Sequence, residues 1–291
     1  MYHKELMMCY DVYTYISGNN QKAVDEVKET AYQMLKAAAL WVYHKIQNYG
    51  EKERVNIFIE EYGGIAEALF LASDLVMKKE HDVAAAHKIF TAARFFKEDD
   101  VLYYTNKNIN IFPRRHINSQ IPKFLACCAE YQITGDTFYL TAAKNFFDMM
   151  ADHMSYPDGG LGLHENYENP DEVSQAYEAN ETCCCYNMLR LADYLFKFTG
   201  DAKYAQYFEK VFYNHIMGAI NTTDYNGEIN AGKVYSTSSA FGYPKIYSNQ
   251  RAKEDSELKQ DAAFWCCCCS GQETLSATGK SRLRRSTCAA V

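Results

Sequence analysis

The sequence predicts an all-α protein assembled from stacked helix pairs, and three observations predict it. Apolar residues recur at helical spacing in most segments up to about residue 220. A Thr-Gly-Asp turn recurs 65 residues apart, at Thr134-Gly135-Asp136 and Thr199-Gly200-Asp201, each time between two helical patterns. The long stretches 104–122, 155–181 and 221–265 lack such periodicity and carry the polar and special residues, as functional loops do.

Taken in chain order, the first pair breaks at Tyr15-Ile16-Ser17-Gly18-Asn19-Asn20, a weaker copy of the repeated turn. Leu125, Cys128, Ala129, Tyr131 and Gln132 lie at the spacing of one helix, and Leu140, Ala143, Phe146 and Phe147 at that of the next. Between them Gly135 suits a left-handed C-cap and Asp136 an N-cap; Gly200 and Asp201 repeat the arrangement. Repeated helix–turn–helix units stack into either an open solenoid or a closed α/α toroid. From Tyr225 to Tyr247 the pattern turns to Gly, Ser, Thr and aromatic residues, which predicts a short β excursion. Residues 280–291 have no apolar period and read as a frayed or aberrant tail.

The 291 residues can bury a sizeable core, and 48% hydrophobic with 23% charged residues is a globular composition. A net charge of −7 argues against nucleic acid as a partner, because phosphate-backbone binders concentrate Lys and Arg on one face. No apolar run approaches the ~18 residues of a membrane span, and the first residues lack the pattern of an export signal. The compartment is left undetermined, with reduced cysteines favouring the cytoplasm, and so is the oligomeric state. Tyr is abundant, 24 residues against 2 Trp, which suits either helix packing or a polar groove for carbohydrate. Nine of the 11 cysteines cluster at Cys127-Cys128, Cys183 to Cys185 and Cys266 to Cys269, and Cys9 and Cys288 stand alone. Adjacent cysteines fit metal binding or a reducing compartment better than a disulfide framework.

Two of these clusters lie beside carboxylates. In Asn180-Glu181-Thr182-Cys183, which opens a helix, a carboxylate and a thiol two residues apart can point into one pocket, and the positive helix end favours a thiolate. The second is Trp265-Cys266-Cys267-Cys268-Cys269-Ser270-Gly271-Gln272-Glu273. Glu181, Cys183 and two cysteines of the second run would make a tetrahedral, sulfur-rich zinc site; equally, buried cysteines in a reduced protein pack as small hydrophobes. Glu165, in the loop after Gly159-Gly160, is placed to donate a proton in a cleft, or is a solvated loop residue. His3, His116 and Glu209 read singly as ordinary polar or ion-paired side chains.

Their joint order is more specific. His3-Lys4 with Asp11, Glu61-Tyr62-Gly63-Gly64, His116 through Pro122, Gly159-Gly160 with Glu165, Glu181-Thr182-Cys183 with Tyr186-Asn187-Met188, Tyr207-Phe208-Glu209 with Tyr213-Asn214, and Trp265-Cys266-Cys267 succeed one another over roughly residues 1–279. That order resembles glycoside hydrolase family 127, the β-L-arabinofuranosidase family. The resemblance implies an (α/α)6 barrel, here a partial catalytic domain over 1–279 without the family's β-sandwich domains. It implies Zn2+ on Glu181, Cys183, Cys266 and Cys267, with Cys266 as nucleophile and Glu165 as acid/base in a retaining hydrolysis. His3, His116 and Glu209 would line the sugar site, and the substrate would be an arabinose-containing oligosaccharide or plant glycan. The family usually has Gly where this chain has Cys269; Trp265 before and Ser270-Gly271 after fix the register of the cysteine pair. The alternatives are a non-catalytic, zinc-stabilised helical domain and a toroid enzyme acting on another furanoside or a uronate.

Overall fold

The computed structural model describes residues 2–59, 63–162, 166–171, 181–217, 270, 273 and 274. The expected β excursion at 225–247, the tail at 280–291, and Glu61, Glu165, Cys266 and Cys267 lie outside these residues. Among the described residues the protein is all-α, with ten α-helices and a π-helical turn. No described helix is long and apolar enough to cross a membrane. The chain divides into two compact units, one of Met1–Asn106 with Pro122–Ala142, the other of Lys107–Ile121 with Ala143–Val291.

The first unit begins with α1 (Tyr2–Tyr15) and α2 (Gln21–Ile46), paired across the turn expected at Gly18. The Asn20 side chain caps α2 by accepting from the Ala23 amide at 3.2 Å. After α3 (Glu51–Ile59), α4 (Ile65–Glu80) and α5 (Val83–Phe95) form the tightest hairpin of the unit, with α6 (Asp99–Asn106) beyond it. Two residues make the α4–α5 turn. His81 takes the left-handed conformation (φ 55°) and donates its N–H to Met77 O; Asp82 caps α5 through the Ala85 amide at 3.0 Å. This is the Gly-Asp device with His in the glycine position, and a search for Thr-Gly-Asp passes over it. The core under these helices holds Leu6, Tyr32, Leu35, Leu69, Phe70 and Ile89.

Helices α7 (Ile117–Thr134) and α8 (Thr137–His153) follow. The expected loop 104–122 is therefore shorter: α6 runs to Asn106, and α7 already begins at Ile117 with Pro122 inside it. Proline has no N–H to give to Asn118 O, so one bond of the ladder is missing and the helix continues through the remaining ones. Of the residues expected on the buried face of α7, Leu125, Cys128 and Ala129 are buried, whereas Gln132 is exposed. Glu130 is fully buried in α7 and bonded by Lys97 Nζ at 2.7 Å and Arg94 at 2.9 Å; Lys97 also donates to Tyr139 Oη at 2.8 Å. A buried charge is tolerable because Lys97 is buried with it and the exposed Arg94 adds a second positive partner.

In the second unit α9 (Thr182–Thr199) packs on α10 (Ala202–Val211), which runs into the π-turn Phe212–Ile216. The two Thr-Gly-Asp turns are superimposable in their bonding. Gly135 and Gly200 both sit at φ 69° and bond back to Tyr131 O and Phe196 O. Asp136 and Asp201 accept from Phe138 N and Lys203 N, at 2.9 and 3.0 Å. Thr134 and Thr199 add a bond that the sequence did not suggest, each hydroxyl accepting from the amide of the following Asp at 3.2 Å. Two tyrosines pack in the core: Tyr204 and Tyr207 meet Phe147 edge-on at 4.9 and 5.0 Å, all three buried.

The two left-handed caps predict mutations of opposite sign. Gly200→Ala forces a Cβ into φ 69° and should destabilise by about 1 kcal/mol; His81→Gly relieves that cost and should stabilise by a similar ~1 kcal/mol. Thermal unfolding of the two variants beside the wild type checks both; a fall in melting temperature for His81→Gly would contradict the cap assignment.

Candidate metal centre

The N-terminus of α9 organises the site. Glu181 occupies the N-cap position in extended backbone (φ −101°, ψ 127°), and its side chain makes no cap bond. A residue with Glu's longer side chain is a poor N-cap, so the carboxylate is free to turn inward toward the thiols that follow. Glu181 is 1% exposed, and Cys183, Cys184 and Cys185 are fully buried. Cys183 Sγ lies 3.2 Å from Glu181 Oε2 and Cys184 Sγ 3.4 Å from the same oxygen. The ligand atoms of Glu181, Cys183 and Cys184 all fall within 4.8 Å of one another, close enough to share one ion. One carboxylate and soft thiolates in a buried cluster form a donor set that suits Zn2+. The α9 macrodipole places its positive end beside these groups, favouring their anionic forms.

The wall behind Glu181 is backbone. The Glu181 amide donates to Leu161 O at 2.9 Å, and its carbonyl starts α9 by accepting from Cys185 N. Gly162 follows at φ 104°, and a Cβ there would stand 3.1 Å from Glu181 Oε1 and 3.5 Å from Ile117 Cγ2. The glycine thus serves both a left-handed backbone and a close approach to the carboxylate.

Beside this wall, residues 114–116 pair antiparallel with 166–167. Arg114 N donates to Tyr167 O at 2.8 Å, Tyr167 N to Arg115 O at 3.1 Å, and His116 bridges to Asn166. His116 is half-buried, and its Nδ1 accepts from the Ser119 amide at 3.3 Å while the Ser119 hydroxyl donates to His116 O. The imidazole thereby caps α7, and in its neutral form the proton sits on Nε2. Asn187 of α9 donates to Asn118 Oδ1 of α7 at 2.8 Å, tying the two helix starts together. Tyr167 is buried against the group: burial first, then the neighbouring Cys184 and Glu181, push its phenol well above the usual range.

The structure therefore brings Glu181 and Cys183 together and sets Cys184 beside them. Cys184 was not among the expected ligands, although the triple-cysteine run contains the signal. Asn118 with Asn187 and Gly162 were also missed; nothing in their local sequence marks a contact across 69 residues or a carboxylate overhead. Of the second cysteine motif only its sequel is described: Ser270 and Thr274 are buried, with the Thr274 hydroxyl donating to Ser270 O at 2.7 Å. Cys266, Cys267 and Glu165 lie outside the described residues. Glu209 is exposed on α10, on the side opposite buried Tyr207. His3 belongs to the first unit, where its ring lies so close over Gly64 that any side chain there would collide with it.

The family model for the β-L-arabinofuranosidase GH127 catalytic domain matches residues 6–280. Among solved structures, the chain is similar to a GH127 β-arabinofuranosidase, BT3674, with 18% identity over 84% of this chain and 46% of that one, at a TM-score of 0.48. It is similar to a glycoside hydrolase with 16% identity over 93% of this chain and 54% of that one, at a TM-score of 0.42. It is also similar to Ara127N-Se, a GH127 β-L-arabinofuranosidase from Geobacillus stearothermophilus T6, with 14% identity over 94% of this chain and 55% of that one, at a TM-score of 0.45. The chain thus spans about half the length of these structures. No curated protein matches it. Since the family model matches residues 6–280, well over half of the sequence, the chain belongs to glycoside hydrolase family 127.

Proposed function

We propose that the protein is a retaining glycosidase that removes terminal β-L-arabinofuranosyl residues from an arabinose-containing oligosaccharide or plant glycan. The observation that carries this reading is the buried Glu181–Cys183–Cys184 group at the start of α9. Zn2+ would be held by Glu181 and Cys183 together with Cys266 and Cys267. When bound, it would supply the positive charge that keeps buried thiols deprotonated at neutral pH.

The chemistry then falls to the chain's own groups. The Cys266 thiolate attacks the anomeric carbon and forms a glycosyl-cysteine bond, while the Glu165 carboxyl gives its proton to the departing glycosidic oxygen. In the second half Glu165, now a carboxylate, takes a proton from water, and the hydroxide displaces Cys266 with net retention. His116 is the candidate to bind a furanose hydroxyl, its ring oriented by the Ser119 amide at Nδ1. His3 and Glu209 complete the sugar-binding set in this reading.

A second reading, a structural zinc centre without turnover, is favoured by the complete burial of Cys183 and Cys184. Hydrolysis of the p-nitrophenyl β-L-arabinofuranoside, measured beside zinc content, separates the two. Expected are one zinc per chain, loss of turnover in Cys266→Ser, and a fall of about 10²–10⁴-fold in kcat for Glu165→Gln with zinc retained. Zinc without turnover would favour the structural centre; turnover persisting in Cys266→Ser would overturn the nucleophile assignment.

The ligand set has its own test in the α9 thiols. Cys183→Ser should weaken zinc binding by at least 10-fold, whereas Cys184→Ser should leave it nearly unchanged if Cys184 only accompanies the group. Equilibrium competition with a chromogenic chelator reads both; equal losses would put Cys184 among the ligands.

A further inference from the structure

We infer that Asp158, Tyr207 and His215 form a clamp on the Gly159–Gly162 turn and act as positioning residues for the Glu181 carboxylate. The inference rests on the metal-centre reading above and adds the groups that hold the centre's acidic ligand in place.

The clamp is visible bond by bond. His215, in the π-turn after α10, has a fully buried side chain, and its Nδ1 lies 3.2 Å from Asp158 Oδ2. The other Asp158 oxygen accepts from the Gly160 amide at 2.9 Å. An ionised carboxylate only accepts, so the proton of this pair is on Nδ1 of His215 and the imidazole orients the carboxylate. Tyr207 Oη donates to Gly159 O at 2.8 Å. The turn closes on itself through Gly159 N to Tyr156 O and Tyr156 N to Gly160 O, at 2.7 and 2.9 Å. Gly159 sits at φ 86° with its Cα pressed on α10, where a Cβ would stand 2.5 Å from Val211 Cγ2. Three side chains and one helix face thus fix two consecutive glycines, the residue type that otherwise orders least readily.

What the turn presents next is the wall of the metal centre. Leu161, one residue beyond Gly160, accepts the Glu181 amide, and Gly162 lies under Glu181 Oε1. A shift of the turn by a fraction of an ångström reaches the Glu181 carboxylate with only two residues between. Outer groups that orient a ligand in this way are worth about 10–100-fold in metal affinity.

The test compares His215→Leu, which removes the Nδ1–H, with His215→Asn, whose side-chain amide can restore that donor, on the full chain. Zn2+ affinity is measured by chelator competition, and Co2+ substitution reads thiolate ligation through its charge-transfer absorption. Amide hydrogen exchange follows Gly160 and Glu181, with the α8 amides as the internal reference. His215→Leu should bind Zn2+ about 10–100-fold more weakly and exchange faster at Gly160 and Glu181 with α8 unchanged, and His215→Asn should recover most of both. Tyr207→Phe, which loses one hydroxyl and keeps the ring, should show the same changes at about fivefold and serves if His215→Leu does not fold. Unchanged affinity in folded His215→Leu or Tyr207→Phe, or exchange that rises equally in α8, overturns the clamp. If the wild type binds neither ion, the metal-centre reading fails, and with it the positioning role for that centre; exchange at Glu181 then still decides whether the three residues hold the turn.

Discussion

A carboxylate that is 1% exposed among fully buried thiols is the constraint around which the second unit is built. Removing an ion from water costs several kcal/mol even after relaxation. The N-terminus of α9 returns up to about 2 kcal/mol in a partly buried geometry, which is smaller than the cost. A divalent cation shared with the thiols, as proposed above, would supply charge that the helix end does not. The placement of Glu181 at the N-cap and of the thiols in the first turn of α9 follows from that balance, because only the first turn offers the positive helix end.

Among the described residues, several contacts hold the group in place. The wall is main chain, with Leu161 O taking the Glu181 amide and Gly162 lying flat beneath the carboxylate. The Asn187–Asn118 bond ties α9 to α7, and the imidazole of His116 caps α7 from the same side as its bridge to Asn166. His116 therefore has a structural role at Nδ1, where it accepts the Ser119 amide and fixes the start of α7.

The helical hairpins were legible in the sequence because their signals are local. Gly200 and Asp201 lie next to each other, and each acts on residues within one turn, so composition at that spot dictates the geometry. The α4–α5 turn was less legible, since His81 pays the left-handed strain that glycine avoids and so hides the cap. Glu181 with Cys183 was readable for the same local reason, two residues apart on one helix start. Gly162, Asn118 and His215 were not, because each acts on a residue distant in the chain and only folding brings them together. The motif residues Tyr213-Asn214 stand directly before the histidine that reaches Asp158, a contact 57 residues back that local sequence does not mark.

The cysteines show how far position on a helix separates residues of one type. Cys127 and Cys128 are as buried as Cys183 and Cys184, yet they lie in the interior of α7. There the backbone amides are spent on the ladder, and desolvation drives both thiols well above their ordinary range; the nearby Lys97 offsets this only in part for Cys127. Such thiols stay protonated and pack as small apolar groups. In the first turn of α9 the amides have no partners within the helix, a carboxylate stands 3.2 Å from Cys183, and a cation has donors to bind. Adjacent cysteines thus offer donors for a metal ion in this chain where they open a helix beside an acid, and pack as apolar groups where they lie mid-helix.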